Sequence, residues 1–254
     1  MSAIVVCSGK GSPGATFLAA NLAAASARSG EPALLLDLDP AGGDLGCYLG
    51  LDSRRGLYPL LRMEGQVPGS ARLVAEAKER AGFEVVCGLP EPSDLASPDA
   101  LAGALDAAID SGRTVIADFG RICETNAPIA NRAGLVLLVV RADLPSVLGA
   151  ERALRQLEAA GTARDQVATV VSAHERRRPG DLAEVEEALR LPVLGAVPLD
   201  RRAARKALIS QAPVVRRRLR GTFDALSAAA RRRLADVEHE TELLPQPELS
   251  EARA

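Results

Sequence analysis

Tryptophan is absent from the chain and aromatic residues make up only 2% of it, which excludes the platform on which single-stranded nucleic acid stacks its bases. Cysteine occurs four times, at Cys7, Cys47, Cys87 and Cys123, with no C-x-x-C pair and no histidine at ligand spacing. That pattern suggests neither a zinc site nor a disulfide framework; the four thiols read as small buried hydrophobes of a reducing compartment. No apolar run reaches the ~18 residues of a spanning helix, and no charged signal-type region precedes the first apolar segment. A cytoplasmic protein without integral membrane association is therefore expected. An excess of one charge is lacking too: 31 Lys and Arg against 33 Asp and Glu leave a net −2, so the molecule as a whole is no generic polyanion binder. Lysine is scarce, at positions 10, 78 and 206 only, so the one that falls inside a glycine-rich loop carries information.

That loop is the most distinctive stretch present. Val5-Val6-Cys7-Ser8 is an apolar strand, Gly9-Lys10-Gly11-Ser12-Pro13-Gly14 a glycine-rich turn, and a helix is expected to open near Thr16. Glycines at 9, 11 and 14 let the backbone turn tightly and present its N–H groups, while the helix brings its positive dipole end to the same point. An anion is the natural occupant. Against the phosphate-loop pattern G-x-x-x-x-G-K-[ST], Gly9 and Gly14 hold the glycine positions and Thr16 the hydroxyl position, but Ala15 stands where the lysine belongs.

Seven short apolar runs follow one another: 3–7, 33–38, 83–87, 114–118, 135–140, 166–172 and 193–198. Continuous runs without polar alternation are what strands buried on both faces look like. Ala-rich amphipathic stretches at 16–29, 97–111, 144–160 and 181–189 supply crossover helices. The fold class expected is α/β: a doubly wound, mostly parallel sheet of about seven strands with helices on both faces, its ligand edge at the strands' carboxyl ends. The second run delivers Asp37 and Asp39 to that edge and the fourth delivers Asp118. Carboxylates and a Thr hydroxyl beside a phosphate cradle suit Mg²⁺, so Thr16, Asp37 and Asp118 are candidate metal ligands. Each acid taken alone also suits a plain turn or helix cap.

Lys10 to Thr16 with Asn21-Leu22-Ala23, then Asp37-Leu38-Asp39-Pro40-Ala41-Gly42-Gly43-Asp44-Leu45, resemble the deviant Walker A loop and acidic motif of the ParA/MinD family of P-loop ATPases. The resemblance runs on through Asp118, Val139 to Ser146, and Leu194 to Asp200 with Ala212-Pro213-Val214, in order, over residues 1–238. The acidic segment and Leu144-Pro145-Ser146-Val147 are most similar to the CpaE/TadZ branch, which helps localise Tad-type pilus and secretion machines. The resemblance implies ATP or ADP with Mg²⁺, a nucleotide-dependent homodimer in which Lys10 reaches the partner's phosphates, and Asp39 orienting the attacking water. It places Thr16 and Asp37 on the magnesium side with Asp118 as the Walker B acid, and it makes Gly9, Gly11, Ser12, Pro13, Gly14, Ala15, Phe17 and Pro198 nucleotide-binding positions. Three departures qualify it. Ala15 removes the lysine that grips the β- and γ-phosphates, Phe17 replaces a small hydroxyl residue, and Ser172-Ala173-His174 stands where an Asn generally reads adenine. His174 either meets the base or is a loop residue. Losing one electrostatic donor costs on the order of 10²–10³ in rate, so weak ATP hydrolysis at best is implied. The alternatives are a pseudo-ATPase scaffold without turnover, and a partition ATPase that holds DNA non-specifically.

The last reading follows from a charge asymmetry. Residues 174–233 carry 15 Arg and Lys against 7 acids, whereas 234–254 carry one Arg against 6 acids. Arg201, Arg202, Arg205, Arg216 to Arg218, Arg220 and Arg231 to Arg233 present a basic face for DNA phosphates or an acidic protein partner, or are simply solvated. Residues 239–254, acidic and containing Pro, read as a disordered tail that anionic lipid repels. The helical run near Thr222 to Val237 is expected to pack on the domain rather than on a membrane.

Overall fold

The computed structural model describes residues 3–11, 14–62, 69–174, 181–214 and 217–243. In chain order the strands are β1 (Ala3–Ser8), β2 (Ala33–Asp37), β3 (Lys78–Arg80), β4 (Phe83–Val86), β5 (Thr114–Arg121), β6 (Leu135–Arg141), β7 (Val167–His174) and β8 (Val193–Pro198). The helices are α1 (Ala15–Arg28), α2 (Leu45–Leu49), α3 (Leu57–Leu61), α4 (Ser70–Ala75), α5 (Pro98–Ile109), α6 (Ala127–Ala130), α7 (Leu144–Ala159), α8 (Asp181–Leu189), α9 (Arg201–Ile209) and α10 (Arg217–Leu243).

One sheet carries all eight strands in the order β3-β4-β2-β5-β1-β6-β7-β8. Every pairing is parallel except β3 with β4. The seven apolar runs are seven of these strands. The eighth, β3, is Lys78-Glu79-Arg80, three charged residues on the sheet's edge, where charge and brevity block pairing with another chain and where no hydrophobic signal arises.

Both faces of the sheet are covered, and the strands show it residue by residue. Ala3, Val5 and Cys7 of β1 enter a core shared with α5, α7 and α8; Ile4 and Val6 enter another shared with α1, α9 and α10. β2 divides likewise, with Leu34 and Leu36 on one side and Ala33 and Leu35 on the other. This two-sided burial is why the strands read as unbroken apolar runs. Helix α1 opens at Ala15, one residue ahead of the expected start. Helix α10 is longer at both ends than the segment around Thr222 to Val237 and packs along α1. Phe223, Leu226 and Ala230 are buried there, Ser26 and Ser227 meet at 3.2 Å, and Arg28 pairs with Asp224 at 2.5 Å. Residues 239–243, expected as the start of a disordered tail, are instead the last of α10, where the helix simply continues through His239 and Glu240; residues 244–254 lie outside the described residues. Among the described residues no helix is long and apolar enough to cross a membrane.

The cysteines correct one expectation. All four are free, as expected, but only Cys7 and Cys87 are buried. Cys47 is exposed on α2, and Cys123 is half-buried just after β5. Both sit in connecting segments near the ligand edge, where backbone rather than sheet burial sets exposure.

The sheet's switch point is β1. Its neighbours are β5 and β6, so the chain leaves it in one direction through β2 and returns on the other side through β6, β7 and β8. The crevice outside the carboxyl end of such a strand is where open α/β sheets take ligands, and it is where the glycine-rich loop begins.

Candidate functional site

The loop's shape is fixed from below by Ser8, the last residue of β1 and 2% exposed. Its Oγ stands 2.9 Å from the Lys10 carbonyl and 3.1 Å from that of Gly120, tying loop to β5. Gly9 is required by a close approach: a Cβ there would lie 2.1 Å from the Gly149 carbonyl oxygen, so the first turns of α7 press directly on the loop. Gly14 is left-handed at φ +99 and precedes α1 without any side-chain cap. The first N–H groups of α1 therefore keep their hydrogen-bonding capacity for a ligand.

Beside the loop, Asp37 and Asp118 stand directly opposite each other on paired strands β2 and β5. Both are buried, at 0% and 1% exposure. Asp37 Oδ1 accepts from the Asp39 N–H at 3.2 Å and Asp118 Oδ1 from the Gly120 N–H at 3.0 Å, while each Oδ2 is buried without a partner. Burial, then the facing charge of Asp118, drives the Asp37 carboxyl well above the usual range. Burial likewise pushes Asp118 up to about 6, against the pull of the neighbouring Thr16 hydroxyl and of the Gly120 N–H. Glycine backbone roofs the pair: a Cβ on Gly43 would fall 1.8 Å from Asp37 Oδ2.

Two adjacent buried carboxylates with orphaned oxygens are a poor arrangement for a fold and a good one for a cation. Among the described residues no group of three or more His, Cys, Asp and Glu gathers as a metal centre. A hard divalent ion fits the donor set of Thr16, Asp37 and Asp118 completed by water and phosphate oxygens. Asp39, the next acid, is half-buried; its Oδ1 accepts from the Ala41 N–H at 2.9 Å, and burial raises its carboxyl. Gly120, at φ +57, leaves it room, since a Cβ there would lie 1.9 Å from Asp39 Oδ2.

The loop opens into a cavity of about 820 Å³ walled by Ser8, Gly11, Gly14, Ala15, Thr16 and Phe17 on one side, by Asp39, Asp44, Cys47 and Tyr48 on another, and by Gly120, Arg121, Ala204, Arg205 and Leu208. A second cavity of about 190 Å³ shares Gly14, Phe17 and Ala204 with it and reaches Val170, Ser172, Ala173 and Pro198 at the ends of β7 and β8. The first brings polar groups of the loop, Asp39, Asp44 and Arg121 to an otherwise mostly apolar wall; the second is almost wholly apolar and suits a flat ring.

Most of the residues singled out from the sequence come together here. Gly11, Gly14, Ala15, Thr16, Phe17 and Asp39 line the larger cavity, Pro198 the smaller, and Asp37 and Asp118 lie beneath. Lys10 is half-buried beside the Gly149 turn of α7, and is not among the described residues lining either cavity. Ser12 and Pro13 lie outside the described residues. The backbone of His174 pairs with Pro198 at the end of β7, and its side chain lies outside the described residues. Phe17 does more than stand in for a hydroxyl residue. Its ring meets Tyr48 at 6.0 Å and Phe223 at 5.7 Å, both edge-on, forming the wall between the cavities. Asn21 ties this wall together, donating to the Phe17 carbonyl at 2.7 Å and accepting from the Val214 N–H at 2.8 Å.

Sequence reasoning assigned no role to Tyr48, Arg121 or the cavity face of Arg205. Arg205 was hidden in an Arg-rich segment, and it belongs to α9, whose Arg201, Arg202, Arg205 and Lys206 are exposed with Leu208 and Ile209. Arg121 had a usable signal, a cation closing β5 three residues after Asp118 in a chain lacking its loop lysine.

Known proteins resemble this chain in sequence and in fold. The CobQ/CobB/MinD/ParA nucleotide binding domain matches residues 4–214. An uncharacterized ATP-binding protein of Methanocaldococcus jannaschii is 31% identical over 222 residues, which cover 84% of this chain and 80% of that one. The crystal structure of a ParA family ATPase from Chlorobium tepidum superposes with a TM-score of 0.76 at 18% identity, over 89% of this chain and 98% of the other. The septum site-determining protein MinD of Pyrococcus horikoshii, complexed with Mg-ADP, does so with a TM-score of 0.68 at 19% identity, over 89% of this chain and 95% of that one. The chain thus belongs to the CobQ/CobB/MinD/ParA nucleotide-binding domain family.

Proposed function

We propose that the protein binds ATP or ADP with Mg²⁺ and acts as a nucleotide-dependent positioning protein of the MinD/ParA type, with weak hydrolysis at best. The observation that carries this reading is the buried Asp37–Asp118 pair, with an orphaned Oδ2 on each, beneath a glycine-rich loop open to a large cavity. A nucleotide–magnesium complex supplies the cation those oxygens lack and the anion the loop's N–H groups lack. Thr16 joins the acids on the metal side, Gly9, Gly11, Ser12, Pro13, Gly14 and Ala15 cradle the phosphates, and Phe17 and Pro198 bound the nucleoside, with His174 near its base. The nucleotide-binding unit is residues 1–238, its last helix α10 running on to Leu243.

In this reading Asp39 holds a water rather than a metal, its carboxylate fixed by the Ala41 N–H and its charged form disfavoured by burial. Lys10 serves a second copy of the chain. The face beside it supports that role, since Leu144 and Leu148 at the start of α7 are 72% and 43% exposed next to the loop that Gly149 touches. The partner assembly is a Tad-type pilus or secretion machine, on the strength of the acidic and α7 motifs shared with the CpaE/TadZ branch. Ala15 favours a second reading, a scaffold that binds nucleotide without turnover.

Titration calorimetry with ATP and Mg²⁺, together with sedimentation with and without nucleotide, tests the proposal. Binding, with a doubling of mass that Lys10→Ala abolishes, is expected. No heat and no change in mass from folded protein would overturn it, and binding without phosphate release would leave the scaffold reading in its place.

A further inference from the structure

The loop's missing lysine leaves a specific deficit. Ala15 lines the larger cavity with a methyl group where phosphoryl oxygens would gather, while Asp39 and Asp44 line the same cavity and Asp37 and Asp118 lie beneath it. A polyanion beside four carboxylates needs fixed positive charge besides one divalent ion. Lys10 does not line the cavity within its own chain; Arg121 does.

Arg121 is placed there by a defect in β5. The β1–β5 pairing runs Val6 with Asp118 and then Cys7 with Gly120, so Phe119 is an extra residue in the ladder. Such a bulge re-aims whatever follows it. Here it brings Arg121 into register with Ser8, the residue that leads into Gly9, about one strand spacing of ~4.8 Å from the loop's first backbone turn. The displaced backbone is held by buried Asn126, whose side-chain amide donates to the Phe119 and Arg121 carbonyls at 2.9 Å each. The strand end is therefore held, while the Arg121 side chain is exposed and makes no ion pair among the described residues, although Asp39 and Asp44 line the same cavity.

We propose that Arg121 is the phosphate-binding cation of this site and takes the place of the absent loop lysine. This rests on the nucleotide-binding reading above. A guanidinium presents two parallel N–H donors that match adjacent phosphate oxygens and stays charged at every relevant pH. Reaching from the neighbouring strand rather than from the helix start, it meets the phosphates from the β5 side of the cavity. Arg205 lines the same cavity from α9, and on this proposal it contributes only through its long-range field.

The test measures dissociation constants of ATP and ADP, with Mg²⁺, by calorimetry for the wild type, Arg121→Ala, Arg121→Lys, Arg205→Ala, Ala15→Lys and the Arg121→Ala/Ala15→Lys double variant. Removing a charged hydrogen bond to phosphate is expected to weaken both nucleotides by roughly 10- to 100-fold in Arg121→Ala. Arg121→Lys loses less, and Arg205→Ala changes binding by less than about threefold, as a screened charge should. Restoring the loop lysine in the double variant recovers at least about tenfold, more than Ala15→Lys gains in the wild type, the non-additivity of two groups doing one job. The exposed side chain leaves folding intact, which melting curves check, and Arg121→Lys carries the test should the alanine variant misfold. Wild-type affinity in Arg121→Ala, or equal losses in Arg121→Ala and Arg205→Ala, would overturn this inference while leaving nucleotide binding standing. A wild-type protein that binds neither nucleotide would overturn the nucleotide reading itself and this inference with it.

Discussion

Replacing Asp118 by Asn should stabilise the empty protein while destroying its response to magnesium nucleotide. In the fold Asp118 is 1% exposed, faces Asp37 across the β2–β5 ladder, and is pushed by burial from its ordinary 3.8 up to about 6. Keeping such a group ionised at neutral pH costs about 3 kcal/mol. Asparagine is isosteric, its Oδ1 still accepts from the Gly120 N–H, and its amide donates toward Asp37, whose own ionisation it no longer opposes. Allowing for imperfect replacement of the Thr16 hydrogen bond, a net gain of about 1–3 kcal/mol is expected, or a Tm higher by about 3–8 °C. The sign with pH is fixed. The folded state holds this proton more tightly than the unfolded chain does, so the wild type is unpenalised below about pH 4 and loses stability as pH rises through about 6. The gap between Asp118→Asn and wild type should thus be near zero at pH 4 and open toward pH 7. Glu31, lowered chiefly by its hydrogen bond from Arg231, shifts in the opposite sense but is common to both proteins and cancels in the difference. Thermal melts followed by circular dichroism, without divalent ions, read it directly. Adding Mg-ADP at a hundred times its dissociation constant should then raise the wild type by about 2.7 kcal/mol and leave the variant unmoved. A variant that melts below wild type across the range, or a gap that closes as pH rises, would refute the account of the acid pair.

Three further outcomes follow from contacts of known distance. Gly43→Ala places a Cβ 1.8 Å from Asp37 Oδ2, which the roof over the acids cannot absorb without moving; a loss of about 2–4 kcal/mol in urea unfolding is expected. Phe17→Ala removes the shared ring of the Phe17, Tyr48 and Phe223 wall; because Phe17 is only half-buried, the loss should be about 2–3 kcal/mol, below that of a full core phenylalanine, and nucleotide affinity should fall with it. Leu144→Asp with Leu148→Asp, at positions 72% and 43% exposed, should leave the monomer's unfolding within about 0.5 kcal/mol of wild type while sedimentation with ATP shows no dimer.

What the sequence made legible was whatever a local pattern encodes. Strands sandwiched between two helical layers must be apolar throughout, so seven of them stood out, and Asp37 and Asp118 fall in the last half of their strands, toward the carboxyl edge of the sheet. β3 left no such trace: Lys78-Glu79-Arg80 is a strand only because β4 lies beside it. The aromatic wall was equally invisible, since Phe17, Tyr48 and Phe223 are distant in sequence and meet only when α10 folds back along α1. The paired acids show the limit most clearly. The sequence places Asp37 and Asp118 at two strand ends, but whether they face each other depends on a ladder register, and that Asp37 does so under a glycine roof depends on Gly43 and Gly88 meeting it from loops outside either strand. Arg121 extends the same point, because a single extra residue, Phe119, decides that this arginine rather than Gly120 stands level with Ser8. A motif thus names the residues that chemistry requires, while register and bulges decide which neighbours they must share it with; in this chain the register supplies both the destabilising carboxylate pair and the cation nearest to replacing the lysine that the motif lost.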